Sequence, residues 1–292
     1  MIEIQNVSKS FYTFKAIDGV SLKIPMGEVV GILGPNGAGK STLFKLISGL
    51  LKPDDGDILA TNGRIWPKIG YKPDRLLLPN HLRIGQYLKT IARLSNVPEQ
   101  VVQQTTFDSL VKVDLVNAAD KKIRDCSKGM RQRIGLAQAL IGNPPLLLLD
   151  EPSNGLDPTG QSDMNRRVQE LHAEGKTIII SSHQLHEITK TCTQLVILKN
   201  GRIHYEKSMS DALSTSSHTI IETDKIVEGA LATQILSLHD DVQFDGLSVI
   251  LRNEAMSLRR QIITMLLMGN YDVVHVVENK RSLAEIYAEV VA

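Results

Sequence analysis

The chain has 292 residues, 42% hydrophobic and 22% charged, the make-up of a folded globular protein with length for two domains. Lys and Arg number 33 against 32 Asp and Glu, so a formal charge of +1 supplies no field for nucleic acid or an acidic membrane surface. Two cysteines, Cys126 and Cys192, form neither a disulfide framework nor a metal cluster and point to a reducing compartment; no signal peptide is expected, nor any apolar stretch near the roughly 20 residues of a membrane span.

Residues 2–7 alternate as a half-buried strand, and Phe11, Tyr12 and Phe14 then cluster in a chain that is only 4% aromatic. Ala16 to Ile24 reads as another strand and Pro25-Met26-Gly27-Glu28 as a tight turn. Val29-Val30-Gly31-Ile32-Leu33 is a continuous apolar run, the pattern of a buried strand. It feeds Gly34-Pro35-Asn36-Gly37-Ala38-Gly39-Lys40-Ser41-Thr42, and Leu43 to Ile47 reads as helix. In this strand–loop–helix context the G-x-x-x-x-G-K-[ST] pattern makes a phosphate cradle. The glycines let the backbone curl so that successive N–H groups point inward, and the helix start adds unpaired N–H groups. Lys40 is expected to reach the β- and γ-phosphates and the Ser41 hydroxyl to ligate Mg²⁺. An ordinary Gly-rich turn with a surface lysine has no need of the full pattern, so the expected ligand is a nucleoside triphosphate.

Gly49 and Lys52-Pro53-Asp54-Asp55-Gly56 mark a stop and a turn. Residues 57–71 hold short strand-like pieces broken by Asn62-Gly63 and Pro67. Helical patterns cover His81–Ser95, Pro98–Lys112 and Asp125–Ile141. The last contains Ser127-Lys128-Gly129-Met130-Arg131-Gln132-Arg133, a Ser/Gly helix start and so a second potential anion site. In isolation it is an N-cap with a basic first turn. Two phosphate-seeking elements in one chain make sense if two copies meet head-to-tail, each helix start closing over the other's nucleotide in an isologous C2 arrangement.

Four leucines, 146–149, form a second buried strand that ends in Asp150 and Glu151. Asp150 emerges at the strand's carboxyl end, where it can hold a Mg²⁺ bridging the β- and γ-phosphates. Glu151, one residue on, is placed to polarise water attacking the γ-phosphorus. Residues 161–174 read as a helix, and Thr177–Ser181 as a third buried strand. His183 follows it, able to donate to a γ-phosphate oxygen. Helix 184–192 and strands Leu195–Leu198 and Arg202–Tyr205 complete a first domain over 1–210, built on a mostly parallel buried sheet. Beyond the Ser-rich stretch Ser208–Ser217 the pattern changes to strand 219–223, helix 226–238, strands near 242–245 and 248–252, helix 255–268, strand 271–277 and helix 282–290. A β-α-β-β-α-β order with a terminal helix makes 218–292 a small α+β domain of ferredoxin-like type.

Loop, helix start, Asp-Glu strand and histidine, in this order, resemble the ATPase subunit of ATP-binding-cassette (ABC) transporters over about residues 1–205. The resemblance implies an α/β P-loop ABC ATPase domain with antiparallel and helical subdomains, with ATP and Mg²⁺ as cofactors. It implies hydrolysis in a homodimer, or a heterodimer with a similar ATPase, that sandwiches ATP. The implied partner is an integral membrane permease holding the subunit at the cytoplasmic face of the inner membrane; no nucleic acid is expected. By the same resemblance Phe11, or the adjacent Tyr12, stacks on adenine, and Gly34 with Asn36, Gly37, Ala38, Gly39, Lys40, Ser41 and Thr42 cradles phosphate. Ser127 and Gly129 match the positions that contact the γ-phosphate across the dimer. Glu151 matches the catalytic base, Asp157 in Ser153-Asn154-Gly155-Leu156-Asp157 the intersubunit loop aspartate, and His183 the switch histidine.

Three departures stand out. Cys126-Ser127-Lys128-Gly129-Met130 replaces the family's usual Leu-Ser-Gly-Gly-Gln, with Lys128 expected to face solvent and Cys126 to be a small packing residue. Asp74 in Gly70-Tyr71-Lys72-Pro73-Asp74 stands where the family usually has glutamine; a carboxylate can still bind the metal or its water, so the departure bears on coupling to the permease more than on binding. Asp57–Ile69 is short for the antiparallel subdomain. The chain looks most like the stand-alone ATPases of bacterial exporters and is also similar to those of copper-site maturation in nitrous-oxide reductase. Two other readings stand beside this one. The first is a soluble ABC-type ATPase of repair or translation, against which speak the single Gly-Lys-Ser loop and the lack of a coiled-coil insertion in 43–125. The second is a cassette that binds ATP with little hydrolysis, to which Asp74 and Met130 are the pointers.

Overall fold

The computed structural model describes residues 2–60, 66–214, 217–280 and 282–291, so the expected turn at Asn62-Gly63 and part of the Ser-rich stretch lie outside the described residues. The chain divides into two compact units, Met1–Lys207 and Ser208–Val290.

The first unit opens with β1 (Ile2–Phe11) and β2 (Phe14–Ile24), antiparallel, with Ile2 opposite Ile24 and Phe11 opposite Phe14. The wholly buried β3 (Val29–Leu33) leads through the Gly34–Gly39 loop into α1 (Lys40–Ile47). Next, β4 (Asp55–Ala60) returns to β1, Ile4 opposite Ile58, so residues read as broken strand pieces supply the third strand of a sheet ordered β2-β1-β4. After β5 (Ile69–Lys72) come three helices, α2 (Ile84–Leu94), α3 (Glu99–Lys112) and α4 (Lys128–Leu140). The first and third start later than their periodicity alone indicates, because Arg83 and Ser127 take extended backbone as N-caps. Then follow β6 (Leu146–Asp150), α5 (Pro158–Ala173), β7 (Thr177–Ser181), α6 (Leu185–Thr191), β8 (Gln194–Lys199) and β9 (Arg202–Ser208). Asp157 as N-cap and Pro158 in the first turn start α5 three residues ahead of the expected 161.

The six-stranded sheet runs β5-β6-β7-β3-β8-β9, and its β5–β6, β6–β7, β7–β3 and β3–β8 pairs are parallel. Parallel strands covered on both faces need continuous apolar runs, which is why Leu146–Leu149 and Ile178–Ile180 do not alternate. On one face Val30, Ile32, Leu148 and Ile179 pack with Leu43, Phe44 and Ile47 of α1 and with Ile2, Ile4 and Leu22 of the antiparallel sheet. Each such fully buried side chain contributes about 1.5–3 kcal/mol. Helices α4, α5 and α6 lie against β5, β6, β7 and β3. Because β6, β7 and β3 are neighbours and parallel, the chain segments leaving their carboxyl ends emerge side by side.

The second unit contains α7 (Met209–Ser214), β10 (Ser217–Thr223), α8 (Gly229–Leu236), β11 (Val242–Asp245), β12 (Ser248–Arg252), α9 (Arg259–Met268), β13 (Val273–Lys280) and α10 (Leu283–Val291). Its sheet is ordered β11-β12-β10-β13 with every pair antiparallel, the ferredoxin-like arrangement expected from the sequence. Ile221, Val249 and Leu251 meet Ile235 of α8 and Ile262 and Leu266 of α9 in a core of its own. Helix α9 begins at Arg259, not near 255, because Asn253–Leu258 winds as a tighter 3₁₀ turn.

Candidate functional site

The loop between β3 and α1 is shaped by glycines at two positions. Gly37 and Gly39 hold φ angles of 82° and 107°, which side-chain-bearing residues rarely adopt. At Gly39 a Cβ would lie 2.4 Å from the carbonyl oxygen of Ala16, so the loop must pass bare against β2. Gly39 also begins α1, where no side chain caps the helix, which leaves first-turn N–H groups to an anion. Lys40 is buried and curls back over the loop, its Nζ donating to the carbonyls of Gly34 at 2.7 Å and Pro35 at 3.2 Å. Burial pushes its pKa down, while the charges of Glu151, Asp150 and Asp74 pull it back up. Gly34 and Ala38 are buried, Thr42 is half-buried, and Asn36 and Ser41 are exposed.

The carboxyl ends of β6 and β7 supply the acids. Asp150 is buried and accepts, at Oδ1, a 2.6 Å hydrogen bond from the Ser181 hydroxyl. The same Ser181 oxygen accepts the Glu151 N–H at 2.9 Å. Glu151 sits at φ 46°, a left-handed conformation that costs a glutamate on the order of 1–3 kcal/mol and persists only where its surroundings enforce it. That turn brings Glu151 Oε2 to 2.8 Å from His183 Nδ1 and Oε1 to 4.0 Å from Lys40 Nζ. Lys40, Asp150, Glu151 and His183, expected from the sequence, thus share one site.

Two residues there carried no assignment in the sequence. Ser181 orders both acids, and its signal was the parallel register that sets it opposite Asp150. Lys72 is fully buried at the end of β5, level with Leu149, and its Nζ donates to the carbonyls of Asp150 at 3.3 Å and Pro73 at 3.4 Å. Burial pushes the Lys72 pKa down to about 8 against the pull of Asp150, Asp74 and Glu151. The neighbouring Tyr71 hydroxyl is buried with no hydrogen-bond partner among the described residues, and burial with the charges of Asp150 and Asp74 pushes its pKa up.

Asp74 accepts a 3.0 Å hydrogen bond from Asn154 Nδ2, and its charge is felt by Lys40 and Lys72. Asn154 also meets α4, its carbonyl accepting from Gln132 Nε2 at 3.3 Å. Ser127 caps α4 by accepting the Met130 N–H at 3.2 Å, and Asp157 caps α5 by accepting the Gly160 N–H at 2.9 Å. Gly129 lies beside Leu156 of the same 153–157 segment, where a Cβ would stand 3.8 Å from Leu156 Cδ2. Lys128 is exposed, with its end laid over Gly155. Cys126 is buried, its thiol donating to the Lys122 carbonyl and pushed up in pKa by burial. Among the described residues no hydrogen bond ties Ser127, Gly129 or Asp157 to Lys40, Asp150, Glu151 or His183. Phe11 is 41% exposed at the β1 end and Tyr12 is fully exposed, so both aromatic faces are open. A groove of about 960 Å³, lined by Ile69, Val97, Pro98, Val101 and Ile141, shares no residue with this site.

The donor set fits a magnesium–nucleotide complex: an exposed Ser41 hydroxyl, an Asp150 carboxyl oriented by Ser181, and a buried ammonium on a loop with no room for a Cβ at Gly39. Magnesium takes few protein ligands when phosphates supply the rest. Among the described residues, no group of three or more His, Cys, Asp and Glu gathers as a metal centre. No described helix is long and apolar enough to cross a membrane.

The family model for ABC transporters matches residues 17–154, from within β2 through the Asp150–Glu151 turn. The lantibiotic transport ATP-binding protein SrtF of Streptococcus pyogenes is 37% identical over 212 residues, 71% of this chain and 90% of SrtF. An uncharacterised ABC transporter ATP-binding protein of Nostoc sp. PCC 7120 is 38% identical over 209 residues, 69% of this chain but 62% of that protein. Among solved structures, the dimeric bacterial ABC transporter cassette MJ0796 superposes with a TM-score of 0.65 at 26% identity, covering 72% of this chain and 99% of the cassette. The glycine-shaped loop, the Ser181-ordered acids and these likenesses agree: the chain belongs to the ATP-binding proteins of ABC transporters.

Proposed function

We propose that this chain hydrolyses ATP, as its Mg²⁺ complex, inside a sandwich of two cassettes and passes the closure to a separate integral membrane permease. The observation that carries the reading is the meeting of Lys40, Glu151 and His183 beside the buried Asp150. In this reading the Gly34–Thr42 loop cradles the phosphates and Phe11 or Tyr12 stacks on adenine. Ser41, Asp150 and Asp74 would hold Mg²⁺, and the bound ion would offset negative charge on the phosphates. Glu151 accepts the proton of a water whose oxygen bonds to the γ-phosphorus as the bond to the bridging oxygen breaks. His183, hydrogen-bonded to Glu151, orients that carboxylate and donates to a γ-phosphate oxygen. Ser127 and Gly129 face the nucleotide of the second cassette, beside Asp157. Residues 1–210 serve as the nucleotide-binding domain and 218–292 as an accessory domain.

The dimeric form of MJ0796, and its post-hydrolysis form bound to ADP and Pi, support the sandwich and the chemistry. The transport name of SrtF supports a membrane partner. Attachment is then peripheral, at the cytoplasmic face of the cell membrane, through the permease. Light scattering of Glu151→Gln with and without Mg-ATP tests the reading. A dimer that appears only with ATP and disappears with Ser127→Arg is the expected result. A variant that binds ATP yet stays monomeric removes the self-dimer and leaves pairing with a different cassette.

A further inference from the structure

Lys72 is buried where an apolar side chain would be cheaper. Taking an ammonium out of water costs several kcal/mol unless it is well paired, and replacing a buried ion by an apolar residue of similar volume is often neutral or stabilising. Level with Lys72 in the neighbouring strand is Leu149, so the register is otherwise apolar. The two carbonyls that receive its ammonium are long contacts, 3.3 and 3.4 Å against a usual ~2.9 Å. They are also unlike in what they carry. One belongs to Asp150, whose carboxyl is fixed by Ser181; the other belongs to Pro73, directly before Asp74. One side chain therefore joins the end of β6 to the first residue of the segment that reaches Asn154 through Asp74.

We infer that Lys72 is a positioning residue for hydrolysis, pinning the Asp150 strand end to the Asp74 segment so that Asp150 and Glu151 keep their places around the γ-phosphate. This rests on the ATPase reading of the site. The Lys72 ammonium is fully buried and is directed at the backbone carbonyls of Asp150 and Pro73, so its effect is placed on turnover and not on ATP binding.

The test compares the full chain with Lys72→Met in turnover, in binding of a fluorescent ATP analogue and in thermal unfolding. Expected is a fall in kcat of about tenfold or more with analogue affinity kept within about threefold, and no loss of thermal stability. If Lys72→Met does not fold, Lys72→Arg replaces it, since it keeps the charge but moves the donors: lower kcat at unchanged binding supports the role. Turnover within about twofold of wild type for whichever variant folds, or affinity and kcat falling together with stability, overturns it. A wild-type chain that binds the analogue and shows no turnover overturns the ATPase reading itself, and this inference with it.

Discussion

Gly37 and Gly39 have similar backbone conformations but different surroundings, and that difference predicts different mutants. A Cβ at Gly37 meets nothing within 4 Å, so Gly37→Ala bears only the left-handed strain of about 1–2 kcal/mol. At Gly39 the methyl would run into the Ala16 carbonyl, so Gly39→Ala must move the loop, and its nucleotide affinity falls by about tenfold or more beyond that of Gly37→Ala. Equilibrium binding of a fluorescent ATP analogue to both variants decides it; equal losses would mean that the close approach is unimportant. Ser181 carries a second prediction. Without its hydroxyl the Asp150 carboxyl and the Glu151 N–H lose their shared partner, so Ser181→Ala lowers kcat by about 10–100-fold, the usual range for residues that orient ligands. Full turnover in that variant would show that the left-handed Glu151 is held by other contacts. Lys72 gives a prediction in pH. With its folded pKa near 8 against an ordinary 10.5, the folded chain binds fewer protons than the unfolded one between these values, so stability rises with pH across that window. Lys72→Met therefore gains most over wild type below pH 8, and the gain shrinks toward pH 10.5. Urea midpoints of both proteins at the two ends check it, and a constant difference would mean that the ammonium stays charged beside Asp150, Asp74 and Glu151.

At the scale of elements, helix starts do double duty. Asp157 caps α5 through the Gly160 N–H, so Asp157→Ala loses about 1 kcal/mol of stability. Asp157→Asn keeps an oxygen for that N–H and restores stability. If Asp157 also serves the partner cassette through its charge, the ATP-dependent dimer in the Glu151→Gln background weakens with both variants, and only the alanine melts lower. Dimerisation unaffected by the asparagine would reduce Asp157 to its cap. The Ser127 start and the Gly37-Ala38-Gly39-Lys40 loop were legible in the sequence because caps and glycine loops are local, written in consecutive residues; the start at Leu156-Asp157-Pro158 was missed, the helix being expected from 161. Strands β3, β6 and β7 were legible for a related reason, since a strand buried on both faces must be apolar throughout. What stayed hidden depends on register. Nothing local in Ile69-Gly70-Tyr71-Lys72 says that the lysine ends level with Leu149, inside the sheet. Nothing in Ile180-Ser181 says that one hydroxyl serves two acids on the neighbouring strand. The Asp55–Ala60 strand was obscured too, because Gly56 stands at an inward position and Leu59 at an outward, exposed one, which hides the alternation in the sequence.

Over the whole molecule, the two units hold separate cores. The larger centres on the parallel sheet, α1 and β1–β2; the smaller centres on Ile221, Val249, Leu251, Ile262 and Leu266. A nucleotide that binds only the folded first unit stabilises that unit by mass action and has no direct purchase on the second core. Truncating a fully buried leucine costs about 2–5 kcal/mol, but only in the core that holds it. Leu266 is fully buried in the smaller core, so Leu266→Ala and ATP act on different transitions. Calorimetry of the full chain is expected to show two unfolding events: Mg-ATP raises one, and Leu266→Ala lowers the other while analogue binding is unchanged. A single transition moved by both perturbations would make the chain one cooperative body, and the accessory role proposed for 218–292 would give way to a structural part in the nucleotide-binding domain. Two transitions with lost turnover in Leu266→Ala would instead make the second unit a regulator of the first, since no residue of its core belongs to the Lys40–Glu151–His183 cluster.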